Sequence, residues 1–75
     1  MRIKHELIGT VTEWRPEGFG FLDVPAVSDW VFVHRSALLN GWPRVGDRVR
    51  IDGAQLGERG WRAEGHAELL ADDDV

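Results

Sequence analysis

The residues best equipped for chemistry in this chain are its aromatic ones. Of three phenylalanines and four tryptophans, Trp14, Phe19, Phe21, Trp30 and Phe32 fall close together, and His34 follows two positions later. Flat rings at such spacing suit non-covalent recognition of other flat ring systems. Covalent chemistry has little to work with: there is no cysteine, no glycine loop of the phosphate-cradling kind and no serine in a nucleophile elbow. His5, His34 and His66 are widely separated in the sequence, and none belongs to a metal-ligand spacing such as HExxH. The residues therefore point to a binding protein, with neither enzyme activity, metal nor cofactor expected.

Those rings must be positioned by strands. Glycine and proline punctuate the chain at short intervals, and apolar and polar side chains alternate between them. Strands are predicted at Leu7 to Trp14, Gly18 to Val24, Trp30 to His34, Arg48 to Gln55 and Trp61 to Leu70. Arg35 to Leu39 can form one helical turn, and Asn40-Gly41-Trp42-Pro43 opens a loop that ends at Val45-Gly46-Asp47. No segment has sustained helical periodicity. Five strands with one long middle connection predict an all-β fold, a five-stranded antiparallel Greek-key barrel of the OB type. It is expected to span residues 1–70 as one domain, with 71–75 an acidic disordered tail.

Parity along the strands decides which rings face water. Successive side chains on a strand point to opposite faces. Val31 and Val33 share one face and Phe32 and His34 the other; Gly20 and Leu22 share one face and Phe19 and Phe21 the other. If valine, leucine and glycine fill the interior of a small barrel, Phe19, Phe21, Phe32 and His34 stand together outside, with Trp14 and Trp30 of matching parity. A single strand phenylalanine is more often core, and parity alone leaves the inverse assignment open. Gly18 and Gly20, flanking Phe19, tip the balance: glycine weakens a strand unless a bend or close backbone approach requires it, and a barrel interior supplies that need. The Arg48, Arg50 and Asp52 row reads as a mixed-charge outer face opposite Val49 and Ile51, and His66 with Glu64 and Glu68 as a solvated strand face without a role.

Charge must be reconciled with this. The chain has a net charge of −4, whereas nucleic-acid binders are usually basic. Three of the acids, Asp72, Asp73 and Asp74, are terminal, and up to position 44 Arg2, Lys4, Arg15, Arg35 and Arg44 balance Glu6, Glu13, Glu17, Asp23 and Asp29. Binding by stacking tolerates such neutrality better than binding by phosphate neutralisation does. The charged amino terminus never opens into an apolar run, so no signal peptide or membrane span is expected. A soluble, cytoplasmic protein is the simplest reading of a cysteine-free chain.

Gly18-Phe19-Gly20-Phe21-Leu22 followed by Val31-Phe32-Val33-His34 resembles the two ribonucleoprotein motifs of cold-shock domains. The likeness extends over Gly9-Thr10-Val11, Ser36-Ala37-Leu38, Val45-Gly46-Asp47-Arg48-Val49, Arg59-Gly60 and Ala63, nearly the whole chain. It implies an OB-like barrel whose motif aromatics stack bases of single-stranded RNA or DNA, without metal, cofactor or chemical step. The chain departs from the family in places. Glu17 adjoins Gly18 where a lysine is usual, and Thr12-Glu13-Trp14 stands where Lys-Trp-Phe is usual, so a carboxylate replaces one stacking indole. Arg35 replaces a phenylalanine and can itself stack on a base. Trp30 replaces an aspartate and Trp61 a proline, two additional indoles.

The expectation is a non-catalytic single-strand binder, an RNA chaperone or a regulator of transcription or translation in a stress response. Trp14, Phe19, Phe21, Trp30, Phe32, His34, Arg35, Arg59 and Trp61 are its candidate contacts. It is expected to be a monomer or weak homodimer without a small-molecule substrate. The alternative is an OB-like module that uses the same apolar face to bind a protein or a second copy of itself, favoured by the acidity and by Glu13.

Overall fold

A computed structural model describes residues 1–70; the tail expected at 71–75 lies outside the described residues. Six strands are present: β1 (Arg2–Ile3), β2 (Leu7–Arg15), β3 (Phe19–Val24), β4 (Asp29–His34), β5 (Arg48–Gly57) and β6 (Gly60–Leu69), with a 3₁₀ turn at Arg35–Ala37 between β4 and β5. The five longer strands match the expected ones to within a few residues at each end. Strand β1 is additional, two residues laid against β5. Among the described residues no helix is long and apolar enough to cross a membrane.

β2, β3 and β4 form an antiparallel meander, β5 pairs antiparallel with both β2 and β6, and β6 pairs with β4, so the sheet closes into a five-stranded barrel. The barrel is of the expected five-stranded OB type, antiparallel at every step but one: the β4–β6 ladder is parallel. The reason is geometric. Strand direction cannot alternate at every step around a closed ring of five, so one neighbouring pair must run the same way.

The interior is filled from alternate positions, as parity requires, except past a register shift in β5 that brings Ala54 inward after Ile51. Leu7 and Val11 of β2, Leu22 and Val24 of β3, Val31 and Val33 of β4, Val49, Ile51 and Ala54 of β5 and Ala67 of β6 are all buried. β-branched side chains dominate this set, which suits strands curled tightly enough to close on themselves. No polar or charged residue is buried among the described residues. Opposite the core, Arg50 forms a mixed-charge outer row with Glu68, Glu6 and Asp52. The Glu68 hydrogen bond holds the Arg50 guanidinium pKa above its ordinary value.

Two features outside the ladders fix the barrel's shape near the candidate site. The β2–β3 register slips between Val11 and Glu13, leaving Thr12 as the extra residue of a β-bulge. There Val11 turns its backbone to the loop ahead of β5, donating to the Asp47 carbonyl at 2.8 Å and accepting from Gly46 N–H at 2.9 Å. On the other side, Asn40 clasps the end of β6: its Oδ1 accepts from Leu69 N–H at 2.9 Å and its Nδ2 donates to Leu69 C=O at 3.4 Å. Asn40→Ala leaves both Leu69 groups to water and is expected to cost about 1 kcal/mol, read as a lower midpoint in urea with an unchanged slope.

Candidate nucleic-acid interface

Register carries Phe19, Phe21, Trp30 and Phe32 onto one outer face. Phe19 pairs with His34, Phe21 with Phe32 and Asp23 with Trp30 across β3 and β4, and directly paired residues share a face. The buried partners on the other side are Gly20 with Val33 and Leu22 with Val31. The inward valines and leucine thus leave the phenylalanine rings outside, half-buried by one another, while Trp30 is 57% exposed. The rings form a continuous row. Phe19 and Phe32 have centroids 5.7 Å apart, Phe32 and Phe21 5.8 Å, and Phe21 and Trp30 6.1 Å.

His34 is exposed at the Phe19 end of the row and also caps the following turn, its Nδ1 accepting from Ser36 N–H at 3.1 Å. This fixes the ring at one nitrogen. Arg35 follows in the 3₁₀ turn. Its stem passes so close to Gly18 that a Cβ there would lie 2.5 Å from Arg35 Cδ, and Gly18 has φ +104°, a conformation that favours glycine. Gly18 therefore permits both the turn into β3 and the seating of Arg35 beside it.

At the opposite end the row opens into a groove of about 870 Å³ between β4 and the β5–β6 hairpin, with Trp30, Phe21 and Phe32 on one wall and Arg59, Trp61 and Arg62 on the other. Trp61 packs partly against the core while contributing to this wall. A smaller hollow of about 310 Å³ continues past Phe32 towards His34 and His66. Phe32 and Arg62 line both, and they are direct partners across the parallel ladder. The result is one track along β4, aromatic on the β3 side and carrying Arg59 and Arg62 on the β6 side, with Glu58 and Asp29 also in the lining.

Trp14 requires a correction. Its parity along an unbroken strand matched the outer rings, but the bulge at Thr12 shifts it by one, so that Glu13 pairs with Phe21 and Trp14 with Gly20. Trp14 consequently packs against the core, meets Trp42 edge-on at 5.7 Å and has its indole N–H buried without a partner among the described residues. Glu13 takes the outer position instead, ion-paired to Arg15, which pairs across from Phe19. The structure thus gathers Phe19, Phe21, Trp30, Phe32 and His34 on one face, sets Arg35 beyond one end and Arg59 and Trp61 beyond the other, and separates Trp14 from them.

Sequence reasoning missed Arg62, and it gave His66 no role although His66 borders the smaller hollow. Both depend on the β4–β6 pairing, which joins Val31 to Trp61 and Phe32 to Arg62 across an intervening strand and leaves no local signal. The negative charge is in part gathered elsewhere: besides the acids around Arg50, Glu64 is held by Arg2 at 3.0 Å.

Fold and face together define a small closed β-barrel with an exposed aromatic cluster at Phe19, Phe21, Trp30 and Phe32, an arrangement compatible with nucleic-acid binding. In comparison with known proteins, no family model matches the chain and no curated protein matches its sequence.

Proposed function

We propose that this protein is a non-catalytic binder of single-stranded RNA or DNA, a barrel of the cold-shock type that stacks successive bases on Phe19, Phe21, Phe32 and Trp30, with His34 at the end of the row. The observation that carries this reading is the unbroken sequence of four rings on one outer face, with centroid spacings of 5.7 to 6.1 Å. A contiguous apolar patch is costly in water and marks an interaction surface; rings set side by side with Arg59 and Arg62 along one edge suit a flexible strand whose bases can splay outward. Chaperoning of RNA, or control of transcription or translation, follows as the role such a binder would serve.

Arg35, Arg59 and Arg62 are the cations available to phosphates beside the rings. Three contacts correspond to a slope of about −2 in log affinity against log salt for a single strand. The test is tryptophan fluorescence, with Trp30 as the exposed indole within the row and Trp42→Phe removing the other exposed one, titrated with short pyrimidine and purine strands at several ionic strengths. Quenching with a slope near that value is the expected result. A slope steeper than about −5 would mean that phosphates rather than rings supply the affinity. Absence of quenching together with concentration-dependent self-association would assign the face to protein contacts instead.

A further inference from the structure

We infer that Glu13 makes this interface selective for guanine among the bases it stacks; the inference rests on the proposed single-strand binding and names the base class it favours. The bulge at Thr12 sets Glu13 on the outer face, paired across from Phe21 in the middle of the aromatic row. Neighbouring strands lie about 4.8 Å apart, so a base stacked on Phe21 has one edge directed over β2, where this carboxylate stands. The Glu13 side chain is 39% exposed, open enough to meet a ligand, and Arg15 Nε donates to its Oε2. Among the described residues nothing hydrogen-bonds to Oε1, and Oε2 keeps a second lone pair. The pairing with Arg15 also offsets the carboxylate's charge towards a passing phosphate backbone.

A carboxylate only accepts hydrogen bonds, so it sorts bases by the donors on their Watson–Crick edges. Guanine offers two adjacent donors, N1–H and the 2-amino group, which match the two carboxylate oxygens as a bidentate pair. Cytosine and adenine each offer one amino group beside an acceptor nitrogen. Thymine and uracil offer a single N3–H between two carbonyl oxygens that repel the carboxylate. Selectivity therefore falls in the order guanine, then cytosine and adenine, then thymine and uracil. Arg62 and Trp61, beyond Phe32 on the other side of the row, do not impose this order, because a guanidinium donates and an indole face stacks on any base.

The test measures the affinity of the whole chain for a seven-residue thymidine strand and for the same strand with one central guanine, hypoxanthine or cytosine. Guanine is expected to bind about tenfold more tightly than thymine, within the range for a bidentate base contact. Hypoxanthine, which lacks the 2-amino group, loses most of that gain. Glu13→Gln, checked by circular dichroism for an intact barrel, is expected to tighten the thymidine strand and reduce the guanine preference to below about twofold, since an amide both donates and accepts. Equal binding of all four strands, or a guanine preference that persists in Glu13→Gln, overturns the inference and leaves stacking intact. If no strand binds, the single-strand reading itself falls, and the inference with it.

Discussion

Replacing Phe19 and Phe32 together with alanine is expected to abolish binding of single-stranded oligonucleotides while the barrel stays folded. Each ring supplies stacking of about 1 to 3 kcal/mol per base, so loss of two removes about 2 to 6 kcal/mol, or roughly thirtyfold to twenty-thousandfold in affinity. The rings also touch one another at 5.7 Å, and truncating either deprives its neighbour of the packing that holds it upright. Core integrity does not depend on them in the same way, since Leu22, Val31, Val33 and Ile51 fill the interior from the opposite faces of the strands. Substituting leucine at both positions separates the two roles: it restores most of the apolar area but provides no flat face. Binding should then remain weak while resistance to urea recovers towards that of the parent. An alanine variant that still binds within a few fold of the parent would remove the rings from the interface.

The second large effect is expected at Gly20. A Cβ there would lie 2.5 Å from Cε3 of the Trp14 ring and would clash with the Glu13 carbonyl oxygen. Neither neighbour can give way easily, because the carbonyl is backbone and the indole is wedged between the core and Trp42. Gly20→Ala should cost about 3 kcal/mol, the upper part of the range for overpacking, against a total stability on the order of 3 to 5 kcal/mol for a domain this small. Most of the margin would be lost, so a substantial fraction of the chain should be unfolded at room temperature by circular dichroism and urea titration. Gly46→Ala is the companion measurement. Gly46 has φ +98° and no atom within 4 Å of the added methyl, so it reports backbone strain alone, about 1 kcal/mol. Equal losses at the two positions would show that the Trp14 contact is not the constraint at Gly20.

Much of this architecture was legible in the residues themselves. Alternation in Val31-Phe32-Val33-His34 and Gly20-Phe21-Leu22 determines which side chains turn inward, because burying the valines and leucine leaves the rings no other face. The strand boundaries followed from glycine and proline for the same local reason. What could not be read was anything that depends on counting across an irregularity. Thr12 interrupts the two-residue period of β2, and from that point parity exchanges Glu13 and Trp14, placing a carboxylate where an indole was expected. Nothing in Thr12 itself signals a bulge; its position is set by Val11 bonding to Asp47 and Gly46, a contact between distant segments. Arg62 was missed for a similar reason, since its place beside Phe32 exists only when the barrel closes. Trp42 read as a loop residue and is one, but its ring also covers Trp14, which a linear pattern cannot disclose.

The parallel seam between β4 and β6 has a bearing on the order of assembly. Val31 with Trp61 and Phe32 with Arg62 are its only paired residues, whereas the meander that carries the rings and the β5–β6 hairpin each join segments adjacent in the chain. Contacts between remote segments pay the larger loop-closure entropy, so the hairpins are the cheaper units to form, while the seam, like the β2–β5 ladder, closes a longer loop and has only two paired positions to hold it. A strand of nucleic acid lying on Phe32 and Arg62 at once would grip both lips of that join, and its binding energy would be added to the stability of the closed state. Ligand would then act as a clasp on the barrel as well as a guest on its surface.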